Sequence, residues 1–392
     1  MDIINYIIIS VFFFLIIYMI NYQYKYYQYK KKYLDLKNQC GGGIENTQGI
    51  KVIQPKSIFL NPAIHAQKIP VLGAAVSDVL TKHCERFKET TNAKERIKSF
   101  ANNFKIDHTT IEICKDIENP DDCWSKFNTP NDFFIRERAG LPKTKSKYSV
   151  VSPADCYCVY LPKAEKSNVW IKGTNFTPQK LMGENISFDN NSLLVFRLAP
   201  QHYHRYHCPV NGRVLSITKL GKEKYSVDPI IVKSSIDVYS NNVRLIMKIE
   251  LENKKIAYLA IIGATCVASI EITNKSIVDA FNKKYNNQDK LTDVQVVNNN
   301  NLDFTDMDVN IETNQELGNF QYGGSTLVLI HPSDYELTDN GKIIEKNSSR
   351  LACDNSIKAM FKKLFSFIYT FEPNCVISPV ETEITVGYDI YN

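Results

Sequence analysis

No two cysteines form a C-x-x-C pair and no histidine belongs to an H-E-x-x-H motif. The usual signatures of a zinc ribbon, a thioredoxin-like redox centre and a zinc protease are therefore missing. A strong excess of one charge is missing too: 47 Lys and Arg against 42 Asp and Glu leave +5, too little to mark a nucleic-acid partner. Ten cysteines lie scattered at 40, 84, 114, 123, 156, 158, 208, 266, 353 and 375, unlike a short disulfide scaffold. They read as free thiols in a reducing compartment. Cys156 and Cys158 alternate along one strand face and read as core. With 392 residues, 44% of them apolar, the chain is long enough for one large domain or two smaller ones.

What is present begins at the amino terminus. Ile3 to Ile20 is almost wholly apolar, close to the roughly 20 residues that span a bilayer, and no small-residue cleavage site follows. A transmembrane anchor is therefore expected over 1–21. Lys25, Lys30, Lys31 and Lys32 then orient a single-pass membrane protein with its bulk in the cytosol. Residues 22–56, with Gly41-Gly42-Gly43, read as a flexible linker.

Over 57–127 the pattern is helical, with Val76, Val79, Leu80 and Phe87, then Ile97, Phe100 and Phe104, at helical spacing. Asp107 and Thr109 are placed to cap a further helix through Ile113, with Pro120 ending it. Beyond Ser149 come short β-type runs such as Leu193 to Phe196, Leu245 to Ile249 and Ala257 to Ile262. The fold expected over 128–392 is mainly β, a sandwich- or barrel-like domain. Asn274 to Asn314 is polar and asparagine-rich and reads as a mobile surface insertion. Ile357 to Phe371, apolar with Lys358, Lys362 and Lys363, suits either a membrane interface or a helix packed on the domain.

One turn organises the chemistry. Tyr322-Gly323-Gly324-Ser325-Thr326 runs into Leu327-Val328-Leu329-Ile330, which reads as a buried strand. The glycines open backbone angles closed to other residues and leave the Gly324 carbonyl unshielded. A serine hydroxyl held there can attack its own peptide bond once a base takes its proton. The same residues also describe an ordinary turn, so the base must come from elsewhere.

Three of the seven histidines, His202, His204 and His207, fall within six positions. An H-x-H pair on a strand would share a face, as metal ligands do, yet zinc needs further ligands, and such a cluster more readily supplies a general base. Ser152-Pro153-Ala154-Asp155-Cys156 offers an orienting carboxylate. Spacing alone does not bring these groups together.

Several stretches share one order and spacing: Asn131-Asp132-Phe133-Phe134-Ile135-Arg136-Glu137, Ser152 to Cys156, Trp170-Ile171-Lys172-Gly173, the histidine stretch 198–212, Gly263-Ala264-Thr265 and Gly323-Gly324-Ser325-Thr326. Jointly they resemble the phosphatidylserine decarboxylase family, with a weaker echo from Glu381 to Gly387. The Asp-Cys pair and the double glycine are similar to its eukaryotic second-type branch.

The resemblance implies a pyruvoyl-dependent carboxy-lyase made as a proenzyme. His207 would deprotonate Ser325, Asp155 would orient the imidazole, and the Gly324-Ser325 bond would break. Ser325 would become a covalent pyruvoyl group, the pyruvate cofactor, on a small chain 325–392 that stays with the large chain ending at 324. That group would form a Schiff base with phosphatidylserine, a membrane phospholipid, and release CO2 to give phosphatidylethanolamine, with His204 as the proton donor. The scheme uses no metal and no nucleic acid, and leaves a homodimer open.

Departures are visible. His202 stands where the family has Asp, so a second carboxylate is missing, and Ala268 replaces a glycine. Two rival readings follow: an unprocessed relative that binds acidic lipid, and a pyruvoyl decarboxylase of a soluble amino acid, against which the anchor speaks.

Overall fold

The strand Ser325–Pro332 is buried at every position. Leu327 and Leu329 face one apolar cluster and Val328 and Ile330 the other, so a core lies on both faces of its sheet. This explains the unbroken apolar run, because period-two alternation survives only where one face is wet. The neighbours Asn191–Leu198 and Ile256–Gly263 are apolar on both faces for the same reason.

The computed structural model describes residues 52–53, 77–78, 81–82, 90–142, 145–147, 149–164, 177–227, 237–265, 270–285, 291–292, 301–323, 325–348, 351–353, 377–379 and 381–392. The anchor expected over 1–21, the segment 357–371, the Trp170 motif and Gly324 lie outside them. Among the described residues no helix is long and apolar enough to cross a membrane.

The domain is mainly β. One ten-stranded antiparallel sheet runs in the order Val52–Ile53, Glu381–Ile384, Cys156–Leu161, Asn191–Leu198, Ser325–Pro332, Ile256–Gly263, Arg244–Glu250, Gly212–Leu220 and Asn301–Asp303, with Asn310–Ile311 also on Gly212–Leu220. A four-stranded sheet follows the order Leu291–Thr292, Ile270–Ile272, Glu316–Phe320, Arg205–His207. Gly318 belongs to the third of these strands, where a Cβ would lie 1.9 Å from the Glu271 carbonyl oxygen. Only glycine lets the backbones approach that closely.

Several local expectations change. Pro120 opens a helix, Pro120–Trp124, rather than ending one, with Asn119 as its N-cap. At the first helical position a proline loses no hydrogen bond, so the same residue can mark either end. The helix Lys94–Phe104 forms as its spacing predicts, but Asp107 caps only the short 3-10 turn His108–Thr110. Asn274 to Asn314 is not a featureless insertion: the helix Lys275–Tyr285 buries Ile277, Val278, Ala280 and Phe281, and short strands join both sheets. Val52–Ile53, at the end of the expected linker, pairs with Glu381–Ile384 on the sheet edge.

Cys114 and Cys123 form a disulfide, which corrects the expectation of free thiols for this pair. It staples a small core of Ile97, Trp124, Phe127 and Phe133. Closing so short a loop is worth about 2–3 kcal/mol through the restricted unfolded chain. Cys156, Cys158 and Cys208 are buried thiols, and Cys156 and Cys158 sit in the core as expected.

Candidate active site

Ser325 is the first residue of a central strand, opposite Leu198 on one side and Gly263 on the other, and it is fully buried. Pairing on both sides fixes its register. Gly323, two residues earlier, has φ 148°, a conformation that residues with a Cβ rarely adopt.

The hydroxyl of Ser325 lies 3.1 Å from Nδ1 of His204. On the far side of that ring Nε2 lies 3.0 Å from the Ala199 carbonyl. A carbonyl only accepts, so Nε2 carries the proton and Nδ1 turns its lone pair to the serine. The ring stacks on Phe134 with centroids 3.8 Å apart, and Phe134 leans on Tyr322 at 5.2 Å. Complete burial, then the charge of Arg136, hold His204 well below the ordinary imidazole range. It is neutral at pH 7.

His207, expected beside Ser325, has other partners. Its Nδ1 lies 2.9 Å from the Asn314 carbonyl and so carries the proton, while Nε2 accepts from the Tyr203 phenol at 3.1 Å. Burial lowers its pKa, opposed by the Asn314 hydrogen bond and by the carboxylates of Glu316 and Asp155. Asp155 pairs with Arg138 at 3.0 Å and accepts from the Val386 amide. The His207 amide donates to the Pro153 carbonyl, so the Asp155 motif and this histidine adjoin. The structure thus unites Ser325 with His204 and sets Asp155 near His207, but it does not join the two pairs directly.

Two further residues complete the site, neither of which had a role assigned from its motif. Asn131 is buried, donates to Gln321 Oε1 at 2.6 Å and accepts from the Tyr322 amide at 3.0 Å, tying down the turn that leads to Ser325. Arg136 donates to the carbonyls of Phe133, Gln201 and His202, pinning the histidine loop to the helix Pro130–Phe134. Burial lowers its pKa to about 10, which still leaves it charged at pH 7. Their place in the Asn131 to Glu137 motif was the signal. His202 and His204 precede the strand Arg205–His207 instead of sharing a strand face.

This is a β protein that holds one serine against a histidine within its own core. The chain belongs to the phosphatidylserine decarboxylase family, whose model, described by that name, matches residues 131–352. Phosphatidylserine decarboxylase proenzyme 2 of Saccharomyces cerevisiae is 32% identical over 274 residues, covering 68% of this chain and 20% of that protein. Its namesake in Komagataella phaffii is 30% identical over 266 residues, covering 64% and 23%. The phosphatidylserine decarboxylase proenzyme of Clostridium tetani is 27% identical over 259 residues, covering 64% and 73%. The chain spans about a fifth of the length of the two yeast relatives.

Proposed function

We propose that this chain is a proenzyme that cuts itself before Ser325 and then decarboxylates phosphatidylserine to phosphatidylethanolamine and CO2. The observation that carries the reading is the fully buried Ser325 hydroxyl at the head of a central strand, lodged among the histidine stretch in a chain of this family. In the first step Ser325 Oγ bonds to the carbonyl carbon of the preceding residue as the C–N bond breaks, giving an ester and a free amine. Loss of the Ser325 α-proton then expels the carboxylate. Water converts the resulting dehydroalanine to a pyruvoyl group with release of ammonia. Ser325 supplies every carbon of that group. Once formed, the ketone supplies the electron sink for CO2 loss.

The two histidines divide the proton transfers. Asp155 and Glu316 oppose the effect of burial on His207, so it is the stronger base and is assigned the Ser325 proton. Acting on Ser325 requires its Nε2 to leave the Tyr203 phenol. His204, whose protonated form is a much stronger acid, is assigned the return of a proton to the substrate carbon. His204→Ala is expected to retain cleavage, read by intact mass, while CO2 release from phosphatidylserine vesicles falls about 100-fold. Cleavage lost in His204→Ala and kept in His207→Ala would move the base to His204.

The domain is held on its substrate's bilayer by the anchor 1–21, and the lysines after it favour the cytosolic face. A disulfide is rare there. Its survival in thiol-blocked extracts is the check on that side: an intact Cys114–Cys123 bond would place the domain on the opposite face.

A further inference from the structure

A carboxylate from elsewhere in the fold faces position 202, where the family pattern has Asp and this chain has His. His202 is buried, and its Nδ1 accepts from the Ala199 amide at 3.0 Å. An amide only donates, so in this ring the proton belongs on Nε2. That nitrogen lies 3.6 Å from Oε1 of Glu383. The Ala199 carbonyl accepts from the His202 amide at 2.9 Å and faces His204 Nε2 at 3.0 Å. A hydrogen-bonded line therefore runs from His202 through Ala199 and His204 to the Ser325 hydroxyl, and the Glu383 carboxylate faces its outer end at 3.6 Å, within ion-pair range but beyond a direct hydrogen bond.

We propose that Glu383 is a positioning residue for the Ser325 site, setting the tautomers of His202 and His204 in series. With its carboxylate opposite Nε2, His202 keeps the proton there and leaves Nδ1 open to the Ala199 amide. If the proton moved to Nδ1, two donors would face each other, and the turn from Ala199 to His202 would lose the bond that orients its carbonyl. His204 would then lose the acceptor that fixes its own proton on Nε2. The strand register supports the placement: Glu383 lies opposite Tyr157, whose ring meets His202 edge-on at 4.8 Å and whose phenol accepts from Gln201 at 3.2 Å. Arg136 holds the same turn from the other side through the Gln201 and His202 carbonyls. Glu383 and Ser325 both fall in the small chain, and the two histidines in the large one.

The inference rests on the self-cleavage reading, and the experiment separates the two. Unmodified chain and variants are followed by intact mass for the cut before Ser325 and by CO2 release from phosphatidylserine vesicles. Glu383→Ala should slow CO2 release, the step assigned to His204, about tenfold, the scale on which groups that fix a histidine tautomer act. Glu383→Gln, which keeps an acceptor opposite Nε2, should recover most of the rate. In a His202→Asp background the Glu383→Ala loss should shrink to less than about twofold, because the second histidine is gone from the line. Equal rates of CO2 release for the unmodified chain and Glu383→Ala, or the same loss in both backgrounds, would overturn the role of Glu383 alone. An unmodified chain that never cuts would overturn the parent reading. Should Glu383→Ala fail to fold, Glu383→Gln in the two backgrounds separates the same outcomes through a smaller difference.

Discussion

Ser325→Ala is expected to yield one chain of full-length mass and no CO2 release, where the unmodified protein is expected to give two fragments. The expectation is absolute because, among the described residues, only the Ser325 hydroxyl is held against His204 Nδ1. Thr326 is the neighbouring hydroxyl, but successive residues of a strand point to opposite faces. Thr326 lies across from Arg197 and Ile262, on the face away from the His204 contact. Burial of Ser325 also keeps solvent from the bond. Alanine removes one hydrogen bond, to His204, so the fold should persist with a loss of about 1 kcal/mol. A denaturing gel and intact mass check the cleavage, and a melting curve checks the fold. A folded Ser325→Ala protein that still splits before residue 325 would end the proposed chemistry.

Much of this arrangement was legible in the sequence. The run from Leu327 to Ile330 announced a buried strand, and Cys156 and Cys158 announced a core face, because burial writes itself directly into apolar composition. The motif from Asn131 to Glu137 could be seen but not assigned, since Asn131 finds its partners at Gln321 and Tyr322 and Arg136 at Gln201 and His202. Contacts between residues so far apart leave no local pattern. The helix Lys275–Tyr285 was hidden because a polar, asparagine-rich stretch outweighed four buried residues. Pro120 misled because proline suits the start of a helix as well as the residue after its end. The Cys114–Cys123 bond had no signature among scattered cysteines. The assignment of His207 to Ser325 came from the family resemblance, whereas the choice of ring at the hydroxyl depends on which way the loop before Arg205 turns.

Glu381→Ala is expected to cost about 3–5 kcal/mol, the range for removing one partner of a buried ion pair. Arg197 and Glu381 are both buried, and the guanidinium meets the carboxylate with Nε–Oε1 at 2.9 Å and Nη2–Oε2 at 2.5 Å. Arg197 also lies over the Tyr157 ring at 4.9 Å. Deleting the carboxylate strands a charge that the site cannot solvate. That cost is a large share of the roughly 5–15 kcal/mol by which a domain is stable. The pair also spans the proposed cut, with Arg197 before residue 325 and Glu381 after it. In the processed protein it becomes a tie between chains, alongside the pairing of Ser325–Pro332 and Glu381–Ile384 with strands of the large chain. Urea titration should therefore show both a lower midpoint and earlier release of the small chain in Glu381→Ala. Replacing both charges, Arg197→Met with Glu381→Leu, should recover most of the loss, because no stranded charge remains. A Glu381→Ala midpoint equal to that of the parent would mean that water already reaches this pair, and that the small chain is held by strand pairing and apolar packing alone.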